Sequence, residues 1–79
     1  MNLFKENDCV AITRPVLAEV IGEGRKVVLP AGTVATIVFV YEKDCQHAAY
    51  EIEAYLGDQD VFTLATVKLI DIGLGYPCT

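Results

Sequence analysis

The side chains able to ligate a metal or act as soft nucleophiles are few: Cys9, Cys45, His47 and Cys78. Cys45-Gln46-His47 is the only Cys/His cluster. Zinc takes about four ligands, usually as spaced pairs, and neither Cys9 nor Cys78 belongs to a paired motif. A polar loop with an incidental Cys and His accounts for the cluster, so no metal site is expected. Cys9 with His47 would be a nucleophile and base, but no third group is at hand to orient them. A thiol at the start of a strand is an ordinary small apolar residue.

Glu51 and Glu53 stand two apart, which on a strand turns both carboxylates to one side. Glycoside hydrolysis uses paired carboxylates about 5 to 9 Å apart, a spacing open to them. No nucleophile with a neighbouring base accompanies the pair, and a barrel this small encloses little volume. A solvated face, or one that receives a basic partner, explains them better. Gly22-Glu23-Gly24 and Gly73-Leu74-Gly75 lack the strand-to-helix setting of phosphate-binding loops and read as turns. The chain is therefore expected to be no enzyme, with no catalytic residue, metal or cofactor.

The elements that must position these residues are short. Val10 to Thr13 reads as a first strand, ended by Arg14-Pro15 because proline donates nothing to a ladder. Pro15 to Lys26 reads as one long early loop that drops Val16, Leu17 or Ile21 onto the core. Val27-Val28-Leu29 is a brief extended piece, and Pro30-Ala31-Gly32 has the composition of a type II turn. Thr33 to Tyr41 is almost wholly β-branched or aromatic, which suits a pleated surface. Ala49 to Tyr55 alternates, with Tyr50, Ile52 and Ala54 on one face and Glu51 and Glu53 on the other. Val61 to Thr66 is the next strand. Val67 to Ile72 closes as a last short strand, either directly or after a single helical turn, and 73–79 is a tail.

The fold class expected is mainly β. It is a small SH3-like barrel of five to six short antiparallel strands with one long early loop, a single domain over 1–79 with its core at about 8–72. The chain has 79 residues, so it buries only about 60% of its unfolded surface. Yet 53% of its residues are hydrophobic and its mean hydropathy is +0.39. Disorder is excluded by that hydrophobicity. No apolar run approaches the roughly 18 uncharged residues of a membrane span.

Eleven acidic residues against six basic ones give a net charge of −5. The basic residues are scattered, with only Arg25-Lys26 adjacent. Nucleic acid and anionic membrane surfaces are disfavoured as partners, because both need clustered cations. The N-terminus lacks the basic start and apolar stretch of a secretory signal. A cytoplasmic protein with reduced thiols is expected.

Asp8-x-Val10, Leu29-Pro30-Ala31-Gly32-Thr33-Val34-Ala35-Thr36-Ile37-Val38-x-Val40-Tyr41 and Ala49-Tyr50-Glu51-Ile52-Glu53 together resemble a family of short bacterial domains of unknown function. The resemblance spans about Asp8 to Leu69 and implies an SH3-like barrel, similar in strand plan to KOW-type ribosomal-protein domains and to the barrel of the nitrile hydratase β subunit. It implies no catalytic residue. Ala35 replaces the family's second glycine. The family's aromatic after the second glutamate falls at Ala54, with Tyr55 one place later, which implies a shifted register or a bulge.

Strict alternation along Thr33 to Tyr41 sets Val34, Val38 and Val40 on one face and Ala35, Ile37, Phe39 and Tyr41 on the other. Both faces are apolar. Either the strand bends between two sheets with the 14–26 loop over its back, or Ile37, Phe39 and Tyr41 belong to an interface. Glu51, Glu53 and Tyr55 would rim such a patch and steer a basic partner. The function expected is a non-enzymatic protein–protein interaction module: an accessory, immunity or antitoxin-type partner, or a homo-oligomeric adaptor. The alternatives are a nucleic-acid-binding barrel of the KOW kind and a small-molecule binder at a subunit interface.

Overall fold

The structure is a computed structural model that describes residues 4–41 and 49–73. It is mainly β, with six antiparallel strands curled into a half-barrel. The strands are β1 (Cys9–Ala11), β2 (Val16–Val20), β3 (Lys26–Leu29), β4 (Val34–Tyr41), β5 (Ala49–Leu56) and β6 (Val61–Lys68). A single 3-10 turn, η1 (Leu69–Asp71), follows. The sheet order is β1-β4-β5-β6-β2-β3. No helix among the described residues is long and apolar enough to cross a membrane. Cys45, His47 and Cys78, the loop at 42–48 and the tail beyond Gly73 lie outside the described residues.

The long early loop is corrected: Val16–Val20 is a strand. Pro15 precedes it, where a missing N–H costs no ladder bond. Ala18 and Val20 point inward while Leu17 and Glu19 point outward. A tight turn containing Gly22 and Gly24, both with positive φ, returns the chain to β3. β2 then pairs with β3 on one side and β6 on the other. The last short strand is corrected: β6 runs unbroken through Lys68, the single helical turn follows as η1, and Ile72 makes only an isolated bridge to Ile12. The turn at Pro30-Ala31-Gly32 is present. Thr33 N–H donates to the Pro30 carbonyl at 3.1 Å, and Gly32 supplies the positive φ of 92° that a type II turn needs.

The core lines the concave side. Val10, Ile12, Leu29, Ile37, Tyr50 and Ile52 are its largest members, and Phe4 packs edge-on against Tyr50 with centroids 6.0 Å apart. Smaller residues complete the core, where Ala54 stands opposite Thr63 and Ile52 opposite Ala65. The buried Thr63 hydroxyl donates to the Ala54 carbonyl at 2.9 Å, so its polar atom is satisfied.

A seam fastens the chain's end to β1. Gly73 N–H donates to the Ala11 carbonyl and Thr13 N–H to the Asp71 carbonyl, both at 2.8 Å. Arg14 Nε meets Asp71 Oδ1 at 2.6 Å, and Lys68 N–H donates to Asp71 Oδ2 at 2.9 Å. These bonds hold the Asp71 carboxyl below its ordinary value of 3.8: the Lys68 amide lowers it most, burial opposes as the next effect, and the Arg14 hydrogen bond and charge lower it further.

Cys9 is disulfide-bonded, which corrects the expectation of a reduced thiol at this position. A cysteine count of three left any pairing open, because spacing alone does not determine connectivity.

Candidate docking face

The convex face of the half-barrel carries the residues singled out above, with one exception. Ile37 is 0% exposed and sits in the core opposite Ile52. The correction has a definite cause. The β4–β5 register shifts between Ile37 and Phe39, so Phe39 stands opposite Glu51. The extra residue, Val38, lets Ile37 face in while Phe39 and Tyr41 face out and Val40 packs on the core. Strict alternation would have put Ile37 and Phe39 on one side. The irregularity expected near Ala54 and Tyr55 is absent, since β5 pairs with β6 without interruption from Ala49 to Leu56.

Cross-strand partners share a face, so the register gives the surface directly. One row crosses the sheet as Thr36, Glu53, Leu64, Glu19 and Lys26. The next row runs Phe39, Glu51, Thr66, and the Thr66 hydroxyl donates to Glu51 Oε1 at 2.5 Å. Phe39, 48% exposed, contacts Tyr41 with ring centroids 4.8 Å apart and planes at 66°. At the other end of β5, Tyr55 stands opposite Phe62, with centroids 4.9 Å apart. The Tyr55 hydroxyl donates to Asp60 Oδ1 at 2.5 Å. That bond first, and desolvation second, raises the Tyr55 phenol above its ordinary 10.0.

The structure thus joins Phe39 to Tyr41 and keeps Tyr55 apart from both. Tyr41 pairs with Ala49 and Tyr55 lies six residues on, about 20 Å at ~3.4 Å per residue. Glu51 and Glu53 occupy the space between the two aromatic pairs. The arrangement is aromatic, acidic, aromatic along one strand.

Two open depressions flank the acidic centre. One of about 380 Å³ lies over β2 and β6, between Leu17, Glu19, Lys26 and Glu51. The other, about 460 Å³, is lined by Ile21, Glu23, Glu53, Asp60, Val61 and Phe62. Among the described residues no group of three or more His, Cys, Asp or Glu is placed to hold a metal ion. Ile21, one of the residues expected on the core, instead stands 46% exposed at this depression, and Phe62, Glu23 and Asp60 were not among the expected interface residues. Phe62 is adjacent to Thr63, and only the β5 register decides which of the two faces out. Ile21, Glu23 and Asp60 lie in turns between strands, where no periodicity marks a face.

No family model, no curated protein and no solved structure matches this chain.

Proposed function

We propose that this protein is a non-enzymatic β-barrel module that works by protein–protein contact through its convex face. One observation carries the reading: paired exposed aromatics at both ends of β5 flank a carboxylate centre on one face of the sheet. A chain of this size gains by burying large apolar side chains, so aromatics left in water favour burial against a second surface. The net charge of −5 and the central Glu51 and Glu53 favour a partner with basic residues and repel polyanions. Within this reading the chain serves as an accessory, immunity or antitoxin-type partner, or as an oligomeric adaptor.

Light scattering and a pull-down from the host lysate test this, with wild-type protein beside a Phe39→Ser, Tyr41→Ser double variant. Self-association or a retained partner that the variant loses carries the reading. A strict monomer that retains nothing overturns it.

A further inference from the structure

The depression at the Tyr55 end of the convex face has a floor and walls of different character. Ile21, Val61 and Phe62 form an apolar shelf, and Phe62 is 52% exposed. Three elements bring a carboxylate to it: Glu53 from β5, Asp60 from the β5–β6 turn and Glu23 from the β2–β3 turn. No lysine or arginine lines it. Arg25 is held beside Glu23, with Nε on Glu23 Oε1 and Nη1 on Gln59 Oε1, both at 3.0 Å. Among the described residues no ion pair reaches Glu53 or Asp60.

We infer that this groove receives an arginine side chain from a basic segment of the partner protein, an inference that rests on the docking reading above and specifies its chemistry. An arginine stem is apolar and lies along the shelf while its head reaches the carboxylates. The planar guanidinium stacks on the Phe62 ring and offers its fork of donors to Glu53 and Asp60 together. An ammonium, a compact and strongly hydrated charge, uses the same carboxylates but gains less from the ring. The left-handed backbone at Asp60, with φ of 56°, and the Tyr55 hydroxyl bond hold that carboxylate at the groove wall. The depression, about 460 Å³ and open to solvent, has room for a long side chain laid along the shelf.

The test is a titration of isotope-labelled protein, followed by two-dimensional NMR. The probe is a short peptide in which two arginines alternate with three leucines between serine and glycine ends. Its counterparts carry citrulline, neutral and of the same shape, or lysine. The amide signals of Ile21, Glu23 and Phe62 move on binding the arginine peptide. Citrulline weakens binding roughly five- to tenfold, and so does the Glu53→Gln, Asp60→Asn double variant. Lysine falls between, and added salt weakens the arginine peptide. Asn tolerates the left-handed backbone at residue 60, so the variant keeps the turn. Equal binding of arginine and citrulline peptides overturns the inference, as does no binding. Shifts confined to Phe39, Tyr41 and Glu51 also overturn it, yet leave the docking reading standing. Loss of the docking reading itself is scored separately, by the Phe39 and Tyr41 variant.

Discussion

Ile37 and Phe39 are two residues apart on one strand and face opposite sides of the sheet, Ile37 against Ile52 and Phe39 against Glu51. A single bulge at Val38 produces this. It gives the core a branched side chain and the surface an aromatic pair.

The two positions therefore respond differently to truncation. Ile37→Ala opens a cavity in a close-packed core and costs about 2–5 kcal/mol. Phe39→Ala loses a half-exposed ring contact and costs at most about 1 kcal/mol. Urea unfolding of both variants measures the difference, and equal losses would mean that the register shift is misplaced.

Among the described residues Thr63 is the buried polar one, bonded to the Ala54 carbonyl. Thr63→Val keeps the shape and removes the donor, at a cost of about 0.5–1.5 kcal/mol. Thr66→Val, on the outer face, changes thermal stability by less than about 0.5 kcal/mol.

Asp71 carries a pH dependence whose sign follows from its lowered pKa. A carboxyl that ionises more readily when folded contributes stability above its unfolded pKa and loses it as pH falls through its folded one. Stability declines as pH drops below about 4, and Asp71→Asn flattens that part of the acid-denaturation curve. Arg14→Gln does so less, because the Lys68 amide is the larger cause. An unchanged curve in Asp71→Asn would place the acid sensitivity elsewhere.

Tyr55 is shifted in the other direction by its bond to Asp60. Spectrophotometric titration of Asp60→Asn brings this phenol back toward its ordinary value. The wild type shows one tyrosine ionising later than in the variant.

The Cys9 disulfide constrains the unfolded chain, so reduction lowers the unfolding free energy by about 2–4 kcal/mol. Alkylation without reductant leaves Cys9 unmodified in a peptide map, and prior reduction exposes it. Labelling of Cys9 without reductant would refute the bond.

The sequence by itself determined the β class, the small barrel-like form and the alternation of Ala49 to Tyr55. These follow from local rules: β-branched and aromatic residues prefer pleated backbone, and a period of two sorts Tyr50, Ile52 and Ala54 from Glu51 and Glu53. The outward placement of Glu51 and Glu53 was legible for the same reason. Tertiary structure decided what pairing controls. Val16–Val20 passed for a loop because its flanking Pro15, Gly22 and Gly24 are turn residues, while its ladder with β6 joins residues more than forty positions apart, as Glu19 to Leu64. Ile37 went inward because a bulge is a relation between two strands, invisible in either alone. The groove beside Phe62 exists only because three turns and strand ends, distant in sequence, meet at one corner of the curled sheet.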